Sequence, residues 1–422
     1  MNLELIKKAY QDWTMNKWEY NKAHDYYKGD TDAMRTYKMV TERSNNKANV
    51  NFLKKFVKEE VSYSVGNDIT YISKSSSESI VNDIDYYLGC WKEDHDSNLT
   101  KNMILYGTAF EICYISNKEL YAKVVSPRNG FAIKNSNEEL VYFAHIYSLN
   151  DKEFIDIYDN KFIYHLDGMF NQVKEPTPHI FGVVPVGIAE LSEEGIKDTI
   201  YNDIKGLQDS YETNLSDISN EISDFRTSYL KLINSQIEEE DAKKMKKMGI
   251  IMTPKDGDAD WLIKNINDSF IQNTLERLEK DMYQITAHIN HNERLQSNLS
   301  GLALRSRLIS LEEKCKLNQK ALTNCIKTRL KVLFIYLKIM FNKNYDYRDI
   351  KIKFTPNIPQ DDLLMAQIIS QLGDKLSTET GLSQLSFIEN SKNEMAKIKL
   401  EQEDIFEGSR LLNNDEEVDI DE

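Results

Sequence analysis

Two stretches of this sequence carry residue types that could hold a metal ion. Residues 256–260 read Asp-Gly-Asp-Ala-Asp, like the opening of a calcium-binding loop. Such a loop requires glycine at its sixth position and glutamate at its twelfth, but Trp261 and Asn267 stand there. His288 and His291 are three residues apart without a third ligand nearby. The sequence therefore predicts an ordinary acidic turn and exposed histidines at a helix end, with no metal and no cofactor.

Catalytic motifs are also missing from the sequence. It contains no Gly-x-x-x-x-Gly-Lys-Ser/Thr loop for ATP, no serine elbow and no obvious cysteine–histidine pairing. Gly182, Gly187 and Gly195 are too widely spaced to form a dinucleotide cradle. Glu111 and the helical carboxylates could serve acid–base chemistry, but carboxylates this common on helices are usually solvated. The sequence predicts a protein that is not an enzyme.

An acidic amphipathic helix is predicted over residues 197–225. Its apolar residues recur at steps of three and four, which places them on one stripe: Ile200, Ile204, Leu207, Tyr211, Leu215, Ile218, Ile222 and Phe225. Carboxylates lie between them: Asp198, Asp203, Asp209, Glu212, Asp217, Glu221 and Asp224. We expect the apolar side to pack and the other side to present carboxylates. An ordinary surface helix is the alternative.

Length and charge narrow the class of protein. A chain of 422 residues is expected to form two to four structural units. The formal charge of −15 argues against a protein that grips nucleic acid by neutralising phosphates, but it suits a surface that nucleic acid passes without sticking. The four cysteines form no Cys-x-x-Cys pair, which predicts free thiols. No signal peptide or membrane span is predicted, so we expect a soluble protein made in a cytoplasm.

Basic residues form two clusters on predicted helices. They are Lys47, Lys54, Lys55 and Lys58 in the first, and Lys243, Lys244, Lys246 and Lys247 in the second. Acidic residues at 238–241 offset the second cluster, so a solvated or intersubunit face is expected for both. Arg294 lies in the polar loop 290–300, between two predicted helices, where it could meet passing DNA.

The coarse pattern indicates an α+β protein that is mainly helical. Helices with strands and a probable antiparallel sheet are predicted before residue 197, and a compact α/β insert is predicted between residues 226 and 266. A second amphipathic helix follows at 267–289. Ser300 is a good N-cap for a long helix that continues to about residue 341. The acid-rich tail, residues 401–422, is expected to be partly disordered.

Short stretches in this order resemble portal proteins, the head-tail connectors of long-tailed bacteriophages that infect Gram-positive hosts. The stretches are NNKANVNF at 45–52, VSYSVGNDITY at 61–71, YGTAFE at 106–111, HIFGVVPV at 179–186, SGLAL at 300–304 with Leu-Glu at 311–312, and TGLS at 380–383. None is diagnostic alone, but their order and spacing cover most of residues 20–400.

The resemblance implies the portal fold, assembled as a ring around a central channel. Its parts would be the wing at 1–196 and 301–356, stem helices at 197–225 and 267–289, the clip at 226–266, the tunnel loop at 290–300, crown helices at 357–400 and the tail at 401–422. The seven carboxylates of residues 197–225 would line the channel. The tunnel loop would present Asn290, His291, Asn292, Glu293, Arg294, Gln296 and Ser297, and lysines 243, 244, 246 and 247 would be clip docking candidates.

The resemblance also implies a function in the virion. A ring, usually a homododecamer, would sit at one capsid vertex, where double-stranded DNA is packaged and later ejected. The implied partners are other copies of the chain, the large terminase ATPase, major capsid and scaffolding proteins, a head-completion adaptor and DNA passing without sequence specificity. Assembly would take place in the host cytoplasm. The alternatives are another ring-forming virion or scaffold protein without a DNA channel, and a DNA-processing enzyme.

Overall fold

The computed structural model describes most of the chain and divides it into two compact units, residues 1–357 and 358–422. The described residues are 1–38, 44–225, 229–234, 238–248, 253, 255–262, 268–290, 301–355, 362–382, 385, 388, 391 and 394–401.

Helices hold more of the described residues than strands do in both units. Those of the first unit are α1 (Leu3–Lys28), α2 (Asp32–Thr36), α3 (Phe52–Val65), α4 (Glu78–Leu88), α5 (His95–Tyr106), α6 (Ile200–Phe225), α7 (Glu239–Met248), α8 (Asp268–Ile285) and α9 (Gly301–Phe341). The second unit contains α10 (Asp362–Leu372) and α11 (Thr378–Leu382). None of the helices in the described part of the chain combines the length and apolar character that crossing a membrane requires.

The strands among the described residues of the first unit form four antiparallel sheets. Three strands lie in the order β3 (Glu119–Val125), β2 (Thr108–Ser116), β9 (Val186–Glu190). Five form a meander of β4 (Gly130–Lys134), β5 (Leu140–Leu149), β6 (Lys152–Tyr158), β7 (Phe162–Asp167) and β8 (Gln172–Pro178). Two pairs complete the set: β1 (Thr70–Ser73) with β12 (Ile350–Lys353), and β10 (Tyr229–Ile233) with β11 (Asp258–Leu262).

These elements confirm the predicted mainly helical α+β class, with three strands added. The sequence pattern did not identify β4, β8 or β9. Proline is tolerated only at the edge of a sheet because it lacks a backbone N–H donor, and β8 is the edge strand that contains Pro176 and Pro178. Part of the predicted α/β insert, including most of residues 249–254, lies outside the described residues.

The main hydrophobic core surrounds α9, which packs against α3, α5, β2 and β9. Its 41 residues span about 60 Å at 1.5 Å of rise per residue. Cys315 and Cys325 of this helix are buried and free, as is Cys113 of β2, which confirms the prediction of free thiols. Burial raises the pKa of the Cys315 thiol to about 12, so this thiol is protonated near neutral pH.

Gly187 of β9 allows the close approach between that strand and α9. A Cβ atom at this position would lie 2.6 Å from Sγ of Cys325 and 3.0 Å from its carbonyl oxygen. Such distances are shorter than van der Waals contact with carbon, so any side chain here would push the strand and the helix apart.

We predict that Gly187→Ala lowers the free energy of unfolding by about 1–3 kcal/mol through overpacking. The matched control is Gly206→Ala in α6, where a Cβ would meet nothing within 4 Å. That change is expected to stabilise the helix by about 0.5–1 kcal/mol. Urea unfolding followed by circular dichroism measures both variants. Equal stabilisation by the two substitutions would contradict the close contact between β9 and α9.

Candidate functional site

Helix α6 carries a buried line of polar side chains at intervals of four residues. These are Gln208, Glu212, Ser216 and Asn220, and each is fully buried. Residues four apart lie on the same helix face, so the four form one polar line along about 18 Å of helix. Because a buried polar group without a hydrogen-bond partner is costly, this line requires a polar neighbour.

The neighbour is a non-helical segment, residues 44–51, which we call the strap. Four backbone N–H groups in the strap and the first turn of α3 donate to the four side chains, in antiparallel order. The bonds are Asn46 N to Asn220 Oδ1 (2.6 Å), Ala48 N to Ser216 Oγ (2.9 Å), Val50 N to Glu212 Oε1 (3.1 Å) and Leu53 N to Gln208 Oε1 (3.3 Å).

The spacing of the two partners explains this ladder. Two residues of extended chain advance about 6.6 Å, and four residues of α-helix advance about 6.0 Å. Alternate N–H groups of the strap therefore meet every fourth side chain of α6. Asn220 also donates from Nδ2 to the carbonyl oxygen of Asn46 at 2.8 Å, so it binds both sides of the same peptide chain.

Three of the predicted channel-lining carboxylates take part in the same packing. Glu212 accepts hydrogen bonds from the Thr31 hydroxyl and from Asn49 Nδ2 as well as from the strap. Asp209 accepts from the Tyr26 hydroxyl at 2.7 Å, and Asp217 accepts from the Tyr37 hydroxyl, also at 2.7 Å. Hydrogen-bond donors around α2 and in the strap thus bind three carboxylates that the sequence pattern predicted to face solvent.

The prediction that Glu212 lines a channel is wrong, because its carboxylate is fully buried inside the subunit. Asp198 and Asp203 are exposed, and Asp217 is also exposed although it binds Tyr37. Asp209 and Glu221 are half-buried. The side chain of Asp224, in the last turn of α6, lies outside the described part. For the six carboxylates other than Glu212, a position in a channel stays a prediction.

The apolar stripe of α6 is buried at the start of the helix and exposed towards its end. Ile200 and Ile204 are buried in the main core, whereas Ile222 is 55% exposed. Between them, Tyr211 packs edge-on against Phe52, with ring centroids 5.2 Å apart. The same helix contacts α8, whose first turn carries Phe270 at 66% exposure. The far end of α6 therefore presents an apolar side chain, Ile222, that is more than half exposed.

The second predicted stem helix is shorter than expected and ends at Ile285. Ala287 adopts a positive φ of 61°, which turns His288 back into the core. The His288 ring stacks on Phe56 at 4.4 Å, and its Nδ1 and Nε2 lie 2.9 Å and 3.1 Å from the carbonyl oxygens of Thr286 and Phe56. The neutral ring donates a hydrogen bond to one of these two oxygens. The prediction that His288 is exposed is therefore wrong, and burial lowers the pKa of this histidine to about 3.

Most residues of the predicted tunnel loop lie outside the described residues, including all those from 291 to 300. Asn290 is described, and its Nδ2 donates to Glu279 Oε1 at 3.0 Å. On α7, Lys243, Lys244 and Lys247 are exposed, while the side chain of Lys246 is not described. Their role as clip docking residues stays a prediction.

One group in the described part of the chain places enough metal-ligating atoms together: His95, Asp96 and Glu111. A guanidinium already lies among them, because Arg329 of α9 contacts Glu111 at 2.6 Å and Asp96 at 2.5 Å. His95 Nε2 lies 2.7 Å from Glu111 Oε1. The buried arginine supplies the positive charge that a metal would bring, so this group fits a structural ion-pair network.

Comparison with known proteins gives the family. The model of the family described as "Phage portal protein, SPP1 Gp6-like" matches residues 6–407. The chain belongs to this family of phage portal proteins. A curated relative, the portal protein of Bacillus phage SPP1, is 21% identical over 412 residues, covering 90% of this chain and 80% of that protein. The resemblance to portal proteins of phages with Gram-positive hosts is confirmed.

Two solved structures also align with this portal family member, each over 78% of this chain and 87% of the other. One is the neck of an empty gene transfer agent (GTA) particle computed with C6 symmetry, with a TM-score of 0.48 and 8% identity. The other is the virion of a native gene transfer agent particle, with a TM-score of 0.46 and 10% identity.

The buried Glu212 gives a prediction about pH. Burial raises the pKa of Glu212 above its ordinary value near 4.5, even though its hydrogen bonds oppose the shift. A carboxyl with a raised pKa in the folded state binds more protons when folded, so its contribution to stability falls as pH rises through the interval between the unfolded and folded pKa values. Glu212→Gln removes this titration but keeps an acceptor oxygen for the strap.

We therefore expect the stability of Glu212→Gln relative to wild type to increase as pH rises from about 4.5 through the raised pKa of Glu212. Urea unfolding at a series of pH values measures this difference. Ser216→Ala is the control, because it removes a hydrogen bond to the strap but no titratable group, and its stability relative to wild type is expected to stay constant with pH. A difference that is constant with pH, or of opposite sign, would contradict the assigned environment of Glu212.

Proposed function

We propose that this chain assembles into the portal of a tailed bacteriophage, a closed ring at one capsid vertex. Double-stranded DNA enters the capsid through the ring during packaging and leaves through it during ejection. The observation that carries the proposal is the family match over residues 6–407, together with the absence of catalytic motifs in the sequence. The ring is a homododecamer in the virion, and it forms in the host cytoplasm.

The proposed parts follow the chain. Residues 1–196 and 301–356 form the wing, α6 and α8 form the stem, residues 226–266 form the clip, and residues 290–300 form the tunnel loop. The crown is made by residues 357–400, followed by the tail. The exposed Ile222 near the far end of α6 supports this assignment, because apolar surface of this kind is expected to be covered by neighbouring subunits in a ring.

The proposed partners are those that such a ring requires. The large terminase ATPase supplies energy and docks at the clip, where a head-completion adaptor later replaces it. Major capsid and scaffolding proteins surround the wing. DNA passes without sequence specificity, and the exposed Asp198 and Asp203 at the start of α6 repel its phosphates. A basic lining would instead hold the duplex, since each neutralised phosphate adds affinity through counterion release.

Electron microscopy of the purified full chain tests the assembly directly. Top views with a central channel and about twelve-fold symmetry are the expected result. Compact particles without a channel, under conditions where the protein is folded and concentrated, would instead favour a virion or scaffold protein of another kind.

We predict that reversing the two exposed charges, Asp198→Lys with Asp203→Lys, makes assembled rings retain linear duplex DNA. The reason is that each subunit then presents two cations in place of two anions to the phosphates. Co-sedimentation of rings with a linear duplex at increasing salt measures retention. The control is Asp12→Lys on α1, an exposed residue of the proposed wing. Equal retention by the control and the double variant would remove these residues from the channel.

A further inference from the structure

Helix α9 has a charge distribution opposite to that of the whole protein. From residue 314 to residue 341 it contains seven basic residues and no acidic residue, in a chain whose formal charge is −15. Helical lysines are commonly offset by a carboxylate three or four residues away. After Glu313 this helix supplies no such carboxylate, so every basic residue beyond Lys316 must find its partner elsewhere.

Two of the seven point inward and are paired with buried carboxylates. Lys314 Nζ lies 2.7 Å from Glu60 Oε1, and Arg329 is bound by Glu111 and Asp96. These two hold α9 to α3, α5 and β2. Lys314 and Arg329 are thus neutralised by ion pairs within the subunit. The other five basic residues do not join α9 to another element in this way.

The other five form a straight exposed row, which we call the lysine stripe: Lys316, Lys320, Lys327, Lys331 and Lys338. Their intervals of four, seven, four and seven residues keep all five within about 60° around the helix axis, given 3.6 residues per turn. The stripe is about 33 Å long at 1.5 Å of rise per residue.

The stripe is largely unneutralised. Lys316 pairs with Glu312 at 2.8 Å. Lys320, Lys327, Lys331 and Lys338 form no ion pair with any residue in the described part of the chain. Lys331 lines two clefts, one of about 530 Å³ and one of about 400 Å³. Glu139 and Asp159 also line the larger cleft, and Asp346 in the smaller cleft is paired with Arg348 at 2.6 Å.

The composition of the lysine stripe favours duplex DNA over a protein as its partner. Protein interfaces are enriched in aromatic residues, methionine and arginine at their centres and depleted in lysine. A row of lysines with independent flexible stems suits a partner whose negative charge is dense and evenly repeated. Duplex DNA carries one such charge per about 1.7 Å of axis, and lysine binds its phosphates as a point charge without reading sequence.

We propose that the lysine stripe of α9 binds the phosphate backbone of double-stranded DNA, without sequence specificity, on a surface separate from α6. This goes beyond the proposed function, in which DNA only passes the acidic stem. The wing and the stem of one subunit would then treat the same polymer in opposite ways. DNA slides past α6 and is held by α9.

A covalently closed circular duplex tests this proposal, because a closed circle cannot thread a preassembled ring. Binding of the circle by the full-chain protein is measured over a range of salt concentrations. We expect Lys327→Gln with Lys331→Gln to reduce the slope of log K against log salt by about 1.8, since each lost phosphate contact removes about 0.9.

The matched control is Lys54→Gln with Lys58→Gln on α3, which removes two exposed lysines at the same four-residue spacing. This control should leave the slope unchanged. The proposal would be overturned by an equal loss of slope in the control, by no binding of the circle, or by binding of poly-glutamate in its place. Electron microscopy of the same samples records ring formation separately, so failure of the ring proposal is distinguishable from failure of DNA binding.

Discussion

The buried ion pair between Arg329 and Glu111 is the constraint on which the first unit depends. Arg329 lies in the middle of α9, and its guanidinium joins that helix to β2 through Glu111 and to α5 through Asp96. Tyr71 of β1 also accepts a hydrogen bond from Arg329 Nη1 at 3.3 Å. Arg329 of α9 therefore joins three elements that lie more than 200 residues earlier in the chain, β1, α5 and β2.

Burying this ion pair costs desolvation free energy, which the attraction between its opposite charges offsets. Burial by itself would raise the pKa of Glu111, but Arg329 and His95 outweigh burial and lower it to about 2. The carboxylate is therefore ionised above that value, and its contribution to stability is lost only as pH falls from its ordinary pKa towards about 2. Removing one member of a buried pair typically costs about 3–5 kcal/mol, because the other charge remains without a partner.

Periodicity predicted most elements of this fold, because helices such as α6 and α8 carry an apolar stripe and most strands are rich in β-branched or aromatic residues. It failed where a polar face was buried. On α6 the line through Gln208 and Glu212 resembles a solvent-facing surface, and only the strap, more than 150 residues earlier in the chain, turns it into an interior. His288 was missed for a similar reason, since its burial depends on a positive φ at Ala287 and on Phe56.

The strap also changes what the acidic helix can do. A helix whose carboxylates all faced solvent would be held only by its apolar stripe, and like charges in neighbouring copies would repel one another along its whole length. Here Glu212 and Asp209 are hydrogen-bonded within the subunit, so they hold α6 in place. Exposed carboxylates remain just before α6 and in its first turn, at Asp198 and Asp203, and further along the helix at Asp217. At physiological salt the Debye length is about 8 Å, so acidic α6 and basic α9 can act on a polyanion independently wherever they lie further apart than that.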